Sequence, residues 1–146
     1  MLRATLWSRR GTDLTARFPE VAAAVAAQVP AGTVLDGEVV VWVDDRLDFE
    51  QLQRRITTSP TAIAHVARAR PASYVAFDVL AHAATDLRRR PLRQRRQVLE
   101  GLAASWSPPM NLSPVTTDPA VAAQWFDELT VAGIEGLVPP EKSDDF

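Results

Sequence analysis

Apolar runs alternate along the chain with apolar residues spaced three and four apart, the pattern of strands interleaved with helices. Arg3 to Ser8 reads as a short strand, followed by a turn at Arg10-Gly11-Thr12-Asp13. Leu14, Phe18, Val21, Val25 and Val29 mark one face of a helix that Pro30-Ala31-Gly32 ends. A long strand follows from Thr33 to Val43, and Asp44-Asp45-Arg46 turns it into a hairpin or straight into a helix near Asp48 to Ile56. Ser59-Pro60 has the form of an N-cap and a first helical proline, opening a short helix through Arg68. Tyr74 to Leu80 is a strand. Pro91 begins a helix with Leu92, Val98, Leu99 and Leu102 inward and its arginines outward, and the prolines between Ser105 and Pro114 predict irregular chain. Asp118-Pro119 opens a helix burying Val121, Trp125, Leu129 and Ala132, stopped by Gly133 before a last strand, Ile134 to Val138. The pattern predicts one mixed α/β domain with no repeat and no linker.

One strand carries unexpected chemistry. Asp36 and Glu38 flank Gly37 within Val34 to Val43, and the two-residue period of a strand puts both acids on one face. Unpaired carboxylates on a buried face are costly, so arginines, a metal or sugar hydroxyls are expected to compensate them. Glycine weakens a strand interior and often marks a close approach by another backbone or a ligand. Solvated acids beside a glycine bulge are the plain alternative.

Composition narrows the picture. At 146 residues, 47% hydrophobic and 23% charged, the chain is the size and balance of one globular domain. No apolar run approaches the roughly 20 residues of a membrane span, and the apolar part of Met1 to Trp7 is too short for a secretory signal. The absence of cysteine removes disulfides and thiolate metal sites and makes a cytoplasmic location the default. The net charge of -2 argues against a uniformly basic nucleic-acid coat. It hides a local cluster, Arg88, Arg89, Arg90, Arg93, Arg95 and Arg96, at a helix start. A helix N-terminus already carries partial positive charge, so cations stacked there favour a nearby anion such as DNA phosphate, although a solvated face is the plainer alternative. His65 and His82 are isolated and suggest no metal site.

Three further segments each admit two readings. Arginines leave a strand into a glycine turn at Trp7 to Thr15, as a phosphate or ribose contact or as loop decoration. Phe77 and Asp78 are successive strand residues, with the ring either core or a ligand platform. Glu135 stands between Gly133 and Gly136, as a functional acid or an exposed one after a C-cap.

Taken in order, these segments resemble the adenylation domain of ATP-dependent DNA ligases, in the covalent nucleotidyltransferase superfamily, and most closely bacterial end-joining ligases. Ser8 to Thr15 resembles motif Ia, Leu35-Asp36-Gly37-Glu38 motif III, Tyr74 to Leu80 motif IIIa, and Glu135-Gly136-Leu137-Val138 motif IV. Asp48 to Arg55, Pro91 to Arg96 and Leu99-Glu100 match the helices between them. The resemblance implies an α/β (α+β) fold of mostly antiparallel sheets with flanking helices, a partial nucleotidyltransferase (ATP-grasp-like) domain. It also implies ATP-dependent nick sealing in DNA repair and recombination through enzyme-AMP and DNA-adenylate. Its cofactors would be ATP and Mg2+, and its partner nicked or broken duplex DNA. By the same resemblance Arg9 contacts the sugar or phosphate, Glu38 the ribose hydroxyls, Phe77 stacks on adenine and Glu135 helps hold the metal. Arg93 and Arg96 are the candidate DNA contacts.

The chain departs from that pattern at the nucleophile. The family reaction starts when a lysine amine attacks the α-phosphate of ATP, and a guanidinium, which stays protonated, cannot replace it. Of sixteen basic residues all but Lys142 are arginine, so the expectation is no catalytic nucleophile and no self-adenylation. After Val138 comes Pro139-Pro140 where the family carries a lysine. The expected organisation is therefore residues 1–138 as a partial adenylation domain and 139–146 as a divergent tail. The domain is either inactive alone or served by a separate N-terminal fragment, the alternative being a non-catalytic nucleotide- or DNA-binding remnant.

Overall fold

The β-branched run ending β1 (Val34–Val43) suits a pleated, half-buried strand, and its turn is set by the two residues that follow. Asp44 and Asp45 both have positive φ, 51° and 63°, closing a two-residue hairpin to β2 (Arg46–Leu47) with Val43 opposite Arg46. Such a loop needs left-handed residues, which aspartate tolerates better than most. The structure, a computed structural model, describes residues 3–114. Within them lie three further strands, β3 (Ala72–His82), β4 (Thr85–Asp86) and β5 (Met110–Leu112). The helices are α1 (Pro19–Gln28), α2 (Phe49–Thr57), α3 (Ile63–Ala69) and α4 (Leu92–Ala103).

The sheet runs β2-β1-β3-β4, all antiparallel, and β5 joins β3 in parallel. The β1–β3 pair is its spine, with Val34 opposite Ala81 and Val41 opposite Ala72. Phe18, Val21, Ala24 and Val29 of the α1 region pack on Val41, Ala72, Tyr74 and Met110, and Leu99 of α4 packs on Ala76, Val79 and Leu87. Leu35 and Trp106 touch both clusters, which makes one continuous core under the helices.

A buried arginine ties the helices together. Arg55, 1% exposed, places Nη1 2.9 and 2.8 Å from the two oxygens of Glu20 and donates to the carbonyls of Arg17 and Arg70. Its guanidinium lies 5.4 Å from the Phe18 ring centroid, and Glu20 also accepts from the Ala72 amide. The sequence gives Arg55 no such role; buried charge of this kind fixes geometry more than it adds stability.

Several expectations are corrected. Arg3 to Ser8 is not a strand: its ladder is the single bridge Trp7–Asp13, although Leu14 N–H also bonds the Leu6 carbonyl. The first helix starts at Pro19, after a 3-10 turn at Thr15–Arg17. Ser59 makes no side-chain cap, and a 3-10 turn, Pro60–Ala62, precedes α3. The irregular stretch from Ser105 contains β5 as well as a cis Pro108–Pro109 bond. The arginines of α4 do not all face outward, since Arg95 is fully buried. The expected helix opened by Asp118-Pro119, the strand Ile134 to Val138, the tail and Glu135 lie outside the described residues.

Candidate nucleotide-binding site

Along β1, Leu35 and Val39 join the core under the helices and Gly37 lies against Tyr74, so the alternation sends Asp36 and Glu38 to the opposite face. The shared face expected for the two acids stands. The expected desolvation problem does not, because Asp36 is exposed and Glu38 half-buried. Solvent, rather than a buried counter-charge, accounts for Asp36.

Gly37 answers a different need. A Cβ there would overlap the Val75 carbonyl oxygen and come within 2.8 Å of the Tyr74 Cζ and Oη. The close approach that strand glycine signals is therefore made by the protein's own β3. Burial and, secondarily, the Asp36 charge push the Tyr74 phenol well above its ordinary pKa.

Opposite these residues β3 is irregular. Asp36 pairs with Asp78 and Gly37 with Ala76, so Phe77 is an inserted residue between two ladder positions. Glu38 pairs with Val75, which sets Glu38 and Phe77 diagonally on adjacent strands. Phe77 is half-buried and joins neither described core cluster, while its neighbour Ala76 and the nearby Val79 do. Asp78 is buried and held by Arg95, with Nε 3.0 Å from Oδ1 and Nη2 3.1 Å from Oδ2.

The remaining candidates are scattered. Arg9 sits exposed in a turn fastened by Ser8 N–H to the Thr12 carbonyl at 2.8 Å and Gly11 N–H to the Ser8 carbonyl at 2.9 Å, with Gly11 at φ 84°. Arg93 is exposed on α4. Arg96 is half-buried and donates to the Ser113 hydroxyl at 3.1 Å and to its carbonyl. Arg88 is engaged with Asp86 at 2.8 Å, and its hydrogen bonds hold that carboxyl down at about 2. Among the described residues no three acidic or histidine side chains converge on a metal position. Asp36 and Glu38 are nonetheless hard oxygen donors, and Mg2+ is typically held by one or two carboxylates plus substrate phosphates. A groove of about 610 Å3 lies on the other side of β1, between the segment from Arg3 to Trp7 and the end of α1, and includes Gly37 and Tyr74 but neither Glu38 nor Phe77.

The sequence model of the ATP dependent DNA ligase domain matches residues 3–143. The chain belongs to that family. It is 40% identical over 133 residues to DNA ligase C2 of Mycolicibacterium smegmatis, covering 91% of the chain and 38% of that ligase. It is 39% identical over 141 residues to DNA ligase C of Mycobacterium tuberculosis, covering 92% and 39%. The fold matches the crystal structure of the ligase domain from M. tuberculosis LigD with a TM-score of 0.62 at 29% identity, over 88% of the chain and 38% of that domain's chain. The chain thus spans about two-fifths of the length of the curated ligases it matches. The α+β fold with an antiparallel sheet and flanking helices is that of this ligase family. Among the described residues no helix is long and apolar enough to cross a membrane.

Within this ligase fold, sequence reasoning overlooked the Asp78–Arg95 pair behind Phe77. A signal was present: Leu92, Arg95 and Leu99 fall at i, i+3 and i+7, on one helical face. An arginine on an apolar stripe needs a buried acid, and Asp78 in β3 is one.

Proposed function

We propose that this chain is the nucleotide-binding middle of an ATP-dependent DNA ligase adenylation domain, acting in the cytoplasm on nicked or broken duplex DNA. Adenine stacks on Phe77, the ribose hydroxyls donate to Glu38, and Arg9 contacts sugar or phosphate. Glu135 contributes to Mg2+ binding, with the carboxylates beside Gly37 as further oxygen donors. When bound, the metal neutralises phosphate charge. The observation that carries the reading is the diagonal placement of Glu38 and Phe77 across the β1–β3 ladder, a hydroxyl acceptor beside an aromatic ring on one pair of strands. Residues 1–141 contain no lysine, so we assign this chain binding and orientation of ATP and leave the attacking amine to a segment outside it, such as a complementing N-terminal fragment.

Equilibrium titration tests this. Phe77→Ala is expected to weaken ATP binding by roughly 5- to 150-fold, the range for losing a base–aromatic stack. Wild type is expected to prefer ATP over 2′,3′-dideoxy-ATP, and Glu38→Ala to lose that preference. Unchanged affinity in the first variant together with unchanged preference in the second would discard the site.

A second role, DNA contact at the start of α4, is favoured by the exposure of Arg89, Arg90 and Arg93 beside one another. Salt-sensitive binding to a nicked duplex, lost with Arg93→Ala and Arg96→Ala together, is the expected outcome. Arg96 is expected to be the weaker contributor because Ser113 already engages it. No binding at low salt would remove this role.

A further inference from the structure

We infer that the buried Asp78–Arg95 pair is a positioning device that holds the Phe77 ring on the nucleotide face of the sheet; this rests on the reading of Phe77 as the adenine platform. In a regular strand Asp78 and Val79 would point to opposite faces. Here both meet α4: Val79 packs with Leu99, and Asp78 accepts three hydrogen bonds from Arg95. The strand is irregular on both sides of the two residues: Phe77 is inserted between the Asp36–Asp78 and Gly37–Ala76 pairings, and Leu80 between the Leu35–Val79 and Val34–Ala81 pairings. A bulge re-aims a side chain, but it also leaves one residue outside the ladder and needs something to fix it.

Arg95 supplies the fixing from three directions. It is fully buried, grips both carboxylate oxygens of Asp78, and donates through Nη1 to the carbonyl of Arg90 ahead of α4. Asp78 Oδ1 also accepts from the Val79 amide at 2.8 Å, so the carboxylate holds the backbone on the C-terminal side of the bulge. The fork geometry of a guanidinium sets direction as well as distance, which an ammonium cannot reproduce. α4 thereby fixes the backbone next to Phe77 through Asp78.

A purely structural ion pair makes a different prediction, since a buried pair is often replaced by apolar residues of similar volume with no loss of stability. The test compares wild type with Asp78→Leu/Arg95→Met by NMR of ring-labelled phenylalanine, with Phe77 assigned through Phe77→Leu and Phe18 as the core control. The expected result is an unmoved Phe18 ring, a shifted or broadened Phe77 ring, and ATP affinity reduced by at least roughly five-fold, the lower bound for losing a stack. Should the double variant not fold, Arg95→Lys keeps the charge and loses the fork, and the same Phe77 displacement is expected. A Phe77 ring that coincides with wild type in a folded variant overturns the positioning role. ATP that moves no Phe77 resonance in wild type overturns the nucleotide reading instead, and the variant comparison still decides what Asp78 and Arg95 do to the ring.

Discussion

Gly37→Ala separates two explanations of the Asp36-Gly37-Glu38 segment, one in which glycine makes room for a ligand and one in which it makes room for β3. The added Cβ would overlap the Val75 carbonyl oxygen and stand 2.8 Å from both Cζ and Oη of Tyr74. Neither neighbour can yield cheaply. The carbonyl is backbone in the ladder position facing Glu38, and Tyr74 is packed in the cluster with Phe18, Val41 and Met110. Overpacking of this kind costs about 1–3 kcal/mol, and parting the strands loses ladder hydrogen bonds worth about 0.5–1.5 kcal/mol each. The reduced freedom of the unfolded chain returns about 0.4–1 kcal/mol. The net is a loss of about 2–3 kcal/mol, or roughly 4–12 °C in Tm for a domain of this size. Thermal unfolding followed by circular dichroism reads it. Adding Tyr74→Leu is expected to recover only a fraction, because the carbonyl contact remains. A Gly37→Ala protein that melts at or above wild type would refute the close approach, and one that keeps its Tm but loses ATP would assign the space to a ligand.

Other consequences are open to simple assays. Ala83 and Ala84 close the β3–β4 hairpin at φ 49° and 74°, so Ala83→Asn with Ala84→Gly is expected to stabilise by about 1 kcal/mol, seen as a higher urea midpoint at unchanged m-value. No rise would mean the turn is unstrained. The Asp48 carboxylate caps α2 by accepting from Gln51 N–H at 3.0 Å, so Asp48→Ala is expected to cost about 1 kcal/mol and Asp48→Asn far less; equal effects would deny the cap. Tyr74 is the sole tyrosine, and its phenol is raised by burial and by Asp36. Its contribution to stability is complete below the unfolded value near pH 10 and is lost as pH rises beyond that, where the unfolded chain releases a proton that the fold retains. Phenolate absorbance is expected to appear only with alkaline unfolding, and Tyr74→Phe to flatten the alkaline limb. Ordinary titration of the folded protein would contradict this.

Much of this architecture follows from local chemistry. β1 is legible from its apolar residues on either side of Asp36-Gly37-Glu38, α2 begins at an aspartate cap, and Asp44-Asp45 is a turn whose residues accept positive φ. The inward set of α4, Leu92 and Leu99 above all, follows from spacing. What the pattern conceals depends on partners distant in sequence. β5 has three residues and exists because Tyr74 to Ala76 offers a parallel edge. Asp36 and Glu38 share a face as the period requires, yet whether that face is wet depends on what packs above it, and Asp36 is exposed. The insertion at Phe77 leaves no mark in composition; it is visible only in the register against β1. Arg95 lies on the apolar stripe by its number alone, and the general tendency of arginine to be exposed pointed the other way.

This ligase-family chain is expected to bind ATP without supplying the attacking amine. Mass spectrometry of the chain with ATP and Mg2+, under native and then denaturing conditions, tests both halves in one sample. A nucleotide adduct present in the native spectrum and gone after denaturation is the predicted result. AMP that survives denaturation, or no adduct in either spectrum, would contradict it.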